Sequence, residues 1–161
     1  QRLVDHGAQG RGRGGMTEYS RRGLALTVQQ VAQIVEHARA ARPAEACGLL
    51  GGRDGRVETV YPLPNTEESV VRYLAEPQAQ MDAMLEIEER GNELVGIYHS
   101  HLHAPAYPSP TDVAMAAYPD AVYLIISLMD GNPPTLGAFR IRDGEIEEVD
   151  VAIETPVRVG G

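Results

Sequence analysis

The chain has 161 residues, enough for one domain that buries a hydrophobic core of its own. A hydrophobic fraction of 43% and a charged fraction of 23% are ordinary for a globular protein, and no apolar run approaches the ~20 residues that a membrane-spanning helix needs. The net charge of −9 argues against nucleic acid as the main partner. Because the one cysteine, Cys47, cannot form an internal disulfide, a cytoplasmic location is expected.

The two ends of the chain differ in composition from its middle. Residues 1–15 are rich in glycine and arginine and show no apolar periodicity, so we expect residues 1–22 to be a flexible N-terminal arm or an expression remnant. The folded domain is expected over residues 23–153. Residues 154–161 are then expected to be a flexible C-terminal tail.

The first half of the domain predicts one helix followed by short strands. Thr27 and Gln30 have the spacing of a capping box, and apolar residues at helical spacing follow them, which predicts a helix over residues 28–41. Short apolar or alternating runs bounded by glycine and proline then predict strands. These runs are residues 46–50, 56–63 and 70–75, with Asp54-Gly55 as a hairpin turn between the first two.

The second half adds two helices and the remaining strands. Pro77 opens a helix that Gly91 closes, with Met81, Met84, Leu85 and Glu88 at spacings of three and four. Residues 109–112 (Ser-Pro-Thr-Asp) are a strong helix start, because they supply a cap, a proline and an acid in the first turn. The most apolar run, residues 121–129, is predicted to be the central strand. The other strands are residues 94–100 and a closing hairpin of residues 135–142 and 145–151. The sum is an α/β fold with a mixed β-sheet flanked by about three helices.

Three histidines within five residues carry the clearest chemical signal. Because side chains alternate along a strand, His99 and His101 point to the same face and are able to share one metal ion. The loop of about ten residues after them lets Asp112 fold back as a third ligand. Two imidazoles and a carboxylate suit zinc, and three protein ligands leave a fourth position for water, as in a catalytic site.

Hydrolysis at such a site also needs a group that moves protons. Zinc lowers the pKa of a bound water to roughly 7, and a base must then take its proton and return it to the leaving amine. Glu45, at the start of the first apolar strand after the helix, is the best candidate. Ser109 is placed to donate a hydrogen bond to the oxyanion. Spacing alone does not bring Glu45 next to the histidines.

The arrangement of these residues resembles a known signature. His99-Ser100-His101, seven residues, Ser109, two residues and Asp112, with Glu45 upstream, is similar to the motif of the JAMM metalloproteases (the JAB1/MPN/Mov34 family). The resemblance implies zinc ligands at His99, His101 and Asp112, acid–base catalysis by Glu45 and oxyanion stabilisation by Ser109. It also implies the cytidine-deaminase-like JAB1/MPN fold.

Two segments, residues 45–50 and 106–112, resemble the compact bacterial members of that family. The resemblance implies a zinc-dependent peptidase or isopeptidase that hydrolyses the amide bond after the C-terminal Gly-Gly of a ubiquitin-like or sulfur-carrier protein. That carrier is the expected partner, with no nucleic acid and no membrane, and a homodimer is left open. Leu102 stands where the family commonly has proline, which puts specificity in doubt more than catalysis.

Other interpretations of the same residues stay open. The chain is alternatively a non-catalytic MPN-type binding scaffold or a zinc amidase that acts on small molecules. Taken alone, a histidine pair on a strand is more often structural, and Asp112 suits a helix start by its charge. His103 is expected in a loop near the site, and Cys47 in the core.

Overall fold

The computed structural model describes residues 23–66, 75–129 and 133–155, which form one mixed sheet and three helices. The helices are α1 (Val28–Ala41), α2 (Pro77–Glu89) and α3 (Pro110–Met115). The strands are β1 (Gly23–Thr27), β2 (Cys47–Arg53), β3 (Arg56–Leu63), β4 (Glu93–His101), β5 (Val122–Ser127), β6 (Thr135–Arg142), β7 (Glu145–Glu148) and β8 (Asp150–Glu154). The expected α/β class, with a mixed sheet flanked by helices, is confirmed.

The strand order is β7-β6-β5-β4-β2-β3-β1-β8. β1 runs parallel to both β3 and β8, and β4 runs parallel to β5, whereas the other neighbours are antiparallel. β7 and β8 stand at opposite ends of this order but are separated in the chain by Val149 alone. The sheet therefore curls until its two ends approach each other, and the amide of Val149 donates to the carbonyl of Ala138 on β6.

Local sequence explains where the helices begin. Thr27 and Gln30 form the predicted capping box of α1, whose bounds are those expected from its periodicity. Glu76 caps α2 through a hydrogen bond from the amide of Ala79, and Pro77 occupies the first turn. A second capping box, described below, begins α3. Side-chain acceptors thus satisfy amide groups that the first turn of a helix leaves without partners.

The two faces of the sheet carry different helices. Side chains of α1, among them Ile34 and Ala38, pack with one set of strand residues, and Ala83 and Ile87 of α2 pack with the other set. Successive residues of one strand alternate between the two sets, as the side chains of a pleated strand must. Tyr98 of β4 accordingly lies on the α1 face, and its neighbour Ile97 on the α2 face.

The structure corrects several expectations about the elements. The helical spacing of Met81, Met84, Leu85 and Glu88 does not mark the buried face of α2, since Met81 is 58% and Leu85 51% exposed while Ala83 and Ile87 are buried. β5 is fully buried, but β4 and β2 hold the middle of the sheet. The closing hairpin ends at Glu148, and the following residues cross to pair with β1.

The expectations for the ends of the domain fall largely outside the described residues. Glu154, assigned to the flexible tail, is the last residue of β8. The arm over residues 1–22, the tail after residue 155 and all but Ala75 of the strand predicted over residues 70–75 are not described. Among the described residues, each helix is too short or too polar to cross a membrane.

Candidate active site

The predicted metal ligands meet at the end of β4. His99 and His101 lie two residues apart on one face of this strand, and both are buried. Their Nε2 atoms are 3.2 Å apart, and their rings are inclined at 60°. Strand alternation therefore turns both imidazoles towards one point, as the sequence predicts.

Asp112 reaches the same point because of the way α3 begins. Ser109 and Asp112 form a capping box in which the Ser109 Oγ accepts from the Asp112 amide at 3.0 Å and the Asp112 Oδ2 accepts from the Ser109 amide at 2.8 Å. The carboxylate oxygens lie 3.2 Å from the His99 Nε2 and 3.0 Å from the His101 Nε2. One short motif thus starts the helix and aims the carboxylate.

The three side chains have the chemistry of a metal-binding group, with candidate ligand atoms all within 4.8 Å of one another. The His101 Nδ1 lies 2.8 Å from the carbonyl of Pro105 and donates to it, so Nε2 is the nitrogen that would bind an ion in place of a proton. Two imidazole nitrogens and a carboxylate fit a divalent ion of the zinc type.

Burial and mutual contact set the ionisation of these groups. Burial lowers the pKa of His99. Burial also opposes the charged form of His101, but hydrogen bonds with Asp112 and the Pro105 carbonyl outweigh it and raise the pKa of His101. Burial alone would raise the pKa of Asp112, but the hydrogen bonds from both imidazoles and from the Ser109 amide hold this pKa well below its usual range. Asp112 is therefore an anion, as a metal ligand must be.

Glu45 approaches the ligands through long-range strand pairing. β2 pairs with β4 so that Cys47 lies opposite His99. Just before β2, the Ala46 amide donates to the Ser100 Oγ at 2.8 Å, and the Ser100 amide donates to the Ala46 carbonyl at 3.0 Å. The side chain of Asn65 also donates to the Glu45 carbonyl at 2.6 Å. The backbone around Glu45 is thus fixed on both sides.

The environment of Glu45 suits a group that exchanges protons near neutral pH. Glu45 is only 4% exposed, and this burial raises its pKa to about 7. The charge of His101 opposes the shift and that of Asp112 adds to it, so Glu45 is electrostatically coupled to two of the three candidate ligands. A titratable carboxyl of this kind beside a metal-binding group is typical of an active site.

The loop between the ligands, residues 102–109, is attached to β5 and β6. The Ser127 Oγ donates to the Ala104 carbonyl at 2.7 Å. The Tyr107 ring packs edge-on against Phe139, with 5.3 Å between centroids. A Cβ on Gly137 would lie 2.4 Å from the Ala106 carbonyl oxygen, so the close approach of this loop to β6 depends on glycine.

Two cavities adjoin the site. A small one of about 20 Å³, room for one water molecule, is lined by His99, Asp112 and Met115 among others. A larger cleft of about 500 Å³ is lined by Glu45, His37 of α1 and Asn65, with several alanines. Only the larger cleft has room for part of a substrate.

The structure brings together His99, His101 and Asp112, with Ser109 adjoining Asp112 and Glu45 electrostatically coupled to His101 and Asp112. Cys47 is buried in the core and His103 is exposed after β4, as expected. Sequence reasoning missed His37, whose Nδ1 lies 2.6 Å from the Tyr98 hydroxyl and which lines the larger cleft. No local pattern marks His37, because its partner Tyr98 comes from β4, far away in the sequence.

Residues 27–142 match the family described as prokaryotic homologs of the JAB domain. The chain belongs to this family. The resemblance inferred from the spacing of the histidines, Ser109 and Asp112 is thereby confirmed, and so is the fold class that it implied.

Known relatives of this JAB-family chain carry enzyme names. The CysO-cysteine peptidase of Mycobacterium tuberculosis is 38% identical over 132 residues, which cover 81% of this chain and 90% of the relative. The desampylase of Haloferax volcanii is 36% identical over 138 residues, which cover 81% and 96%. A solution structure of a protein from Desulfitobacterium hafniense has a TM-score of 0.76 at 38% identity and covers 83% of this chain and 94% of that one. The expectation of an enzyme of the peptidase type is confirmed.

Proposed function

We propose that the chain is a zinc-dependent peptidase that hydrolyses the amide bond after the C-terminal Gly-Gly of a ubiquitin-like or sulfur-carrier protein. The carrying observation is the convergence of His99, His101 and Asp112 on one point, to which the buried carboxyl of Glu45 is electrostatically coupled. A metal-binding group and a proton-exchanging carboxyl are the two components that amide hydrolysis requires.

His99, His101 and Asp112 would hold the zinc ion through two Nε2 atoms and a carboxylate. When bound, zinc supplies a Lewis acid that polarises the scissile carbonyl and makes a water molecule more acidic. The Pro105 carbonyl keeps His101 in the tautomer that can bind. Thus the loop and the capping box orient the ligands before any ion arrives.

Glu45 moves the proton. As a carboxylate it takes a proton from the attacking water, and as an acid it returns that proton to the leaving amine. Burial raises the pKa of Glu45 above that of an ordinary carboxyl, which favours return of the proton to the leaving amine.

Ser109 would stabilise the oxyanion. Its Oγ accepts a hydrogen bond from the Asp112 amide, which leaves the hydroxyl proton available for another acceptor. A hydrogen bond from that hydroxyl to the developing oxyanion is worth about 3 kcal/mol in related acyl-transfer sites. The capping role and the catalytic role are therefore compatible.

The proposed substrate follows from the relatives. Both cover most of this chain, and one is named for a carrier-cysteine conjugate and the other as a desampylase. We propose that a carrier ending in Gly-Gly is the partner, because glycines fit where backbone must approach a metal closely. We propose the cytoplasm as the location, which suits the free thiol of Cys47.

The test is cleavage of a defined conjugate. The zinc-loaded chain is incubated with a ubiquitin-like carrier whose Gly-Gly is followed by one alanine, and products are weighed by intact mass spectrometry. We expect loss of the alanine, one zinc ion per chain, and no cleavage of a carrier with Val-Val in place of Gly-Gly. Zinc binding without cleavage of any Gly-Gly conjugate would contradict the proposal and favour the scaffold.

A further inference from the structure

We propose that the cleft beside Glu45 binds the leaving group of the reaction, an amino acid with a free α-carboxylate, and that the His37 Nε2–H donates a hydrogen bond to this carboxylate. The inference rests on the proposed function, because it takes Glu45 as the group that protonates the leaving amine. It adds a binding cleft and a carboxylate-binding residue to that function.

Tyr98 connects the strand of the candidate ligands to α1. A Cβ on Gly48 would lie 2.3–2.6 Å from Cε2, Cζ and the hydroxyl oxygen of Tyr98, so this ring lies directly against the glycine backbone of β2. Tyr98 has no exposed surface, and its hydroxyl reaches across the α1 face to His37. The absence of a side chain at Gly48 thus allows a residue next to His99 to contact α1.

The hydrogen bond with Tyr98 sets the tautomer of His37. A tyrosine hydroxyl is protonated at neutral pH, so the Tyr98 phenol donates to the His37 Nδ1 at 2.6 Å. Burial lowers the pKa of His37, which favours the neutral ring. A neutral imidazole that accepts at Nδ1 carries its proton at Nε2. The two rings are inclined at 86°, which fixes the plane of the imidazole as well.

The shape and polarity of the cleft suit an amino acid. Its volume of about 500 Å³ and its alanine-rich wall leave room for an amino acid but not for a folded domain. Glu45 and His37 both line this cleft. Glu45 can give a proton to an amine, whereas His37 can donate a hydrogen bond to a carboxylate. An amino acid leaving group has the matching ends, since its amine takes a proton from Glu45 and its carboxylate accepts from an N–H.

The test compares two substrates that differ in one group. Both are a carrier ending in Gly-Gly followed by alanine, one with a free α-carboxylate and one with a C-terminal amide. We expect wild-type kcat/KM to be roughly tenfold or more higher for the acid, the size of one hydrogen bond to a charged group. His37→Asn keeps an acceptor near the Tyr98 hydroxyl but has no Nε2. The ratio of its kcat/KM for the acid to that for the amide should therefore fall close to one.

Matched variants separate recognition from folding. His37→Gln places an amide nitrogen near the position of Nε2 and should restore part of the preference. Glu36→Gln, at an exposed neighbour on α1, should retain all of it. Zinc content and the thermal unfolding midpoint of each variant verify that the fold is intact.

The outcomes distinguish the two proposals. If wild type cleaves neither substrate, the proposed function fails. If wild type cleaves acid and amide equally well, or folded His37→Asn keeps the full preference, the cleft assignment is overturned while the peptidase stands. Should His37→Asn not fold, the wild-type ratio and the Gln variant still decide the question.

Discussion

The two halves of the candidate site are built in different ways. The metal-binding half comes from residues 99–112, one continuous piece of β4, loop and α3. The proton-transfer half brings together Glu45, His37 and Asn65, which lie on separate segments and meet through the pairing of β2 with β4 and β3. Local chain geometry therefore fixes the metal ligands, whereas tertiary structure fixes the base and the cleft.

A buried serine holds each half in place. Ser127 donates to the Ala104 carbonyl in the loop between the ligands, and Ser100 accepts from the Ala46 amide next to Glu45. The two serines lie on neighbouring strands, β5 and β4, and both are at most 4% exposed. The chain thus contains a matched pair of positions through which each half can be perturbed separately.

The largest effect is expected from Asp112→Ala. This change removes one of three candidate ligands and one partner of the capping box, so both zinc binding and peptidase activity should fall to background. Zinc content by elemental analysis and conjugate cleavage measure the two losses. Asp120→Ala, at an exposed acid after α3, is the control and should change neither. Retention of stoichiometric zinc by Asp112→Ala would remove this residue from the ligand set.

Glu45→Gln should impair the proton-transfer half of the site and leave the metal-binding half intact. The amide is similar in shape but does not take up a proton, so kcat should fall by about 10²–10⁴ while zinc content stays at the wild-type level. Single-turnover cleavage and elemental analysis of the same sample provide the comparison. A Gln variant with wild-type turnover would eliminate Glu45 as the base.

The pH dependence should report the same carboxyl. Glu45 acts as a base only when deprotonated, so activity should rise with pH through its pKa and fall about tenfold per unit below it. Burial raises that pKa to about 7 in the metal-free chain, and a bound cation would lower it. We expect an acid limb at or below pH 7 in kcat/KM for wild type. The limb should be absent from the residual activity of Glu45→Gln, and its persistence there would assign it to another group.

The smallest effects, several-fold, are expected from the serine pair. Ser127→Ala removes one hydrogen bond from the ligand loop and should weaken zinc affinity, measured by competition with a chelator. Ser100→Ala leaves the Ala46 amide without its side-chain acceptor and should lower kcat with little change in zinc affinity. If both variants changed the same quantity, the two halves would not be separable.

The sequence predicts the parts of the fold that local rules control. The capping boxes at Thr27 and Ser109 are visible as spacings, and so are the facing imidazoles of β4, because both depend on residues two or three positions apart. The position of Glu45 came from family resemblance, since strand pairing between β2 and β4 has no local signature. His37 and the cleft were missed for the same reason.

The wrong expectations also have a physical cause. In α2, the large apolar residues Met81 and Leu85 are exposed, whereas the small residue Ala83 and the branched residue Ile87 pack against the sheet beside β2 and β4. Close packing against a sheet favours small side chains as well as apolar ones, which a hydrophobicity pattern does not report. The sequence likewise predicts that the closing hairpin continues to residue 151. A local pattern does not report the curling of the sheet, which brings β8 next to β1 instead.

The pairing of β1 with β8 has a consequence for biosynthesis. β1 lies between β3 and β8, so one of its edges has a partner only after almost the whole domain has left the ribosome. Pairings between residues so distant in sequence are slow to form, and an exposed strand edge can meanwhile recruit other chains. We therefore expect nascent chains that stop before Asp150 to depend on chaperones more than the full-length product does.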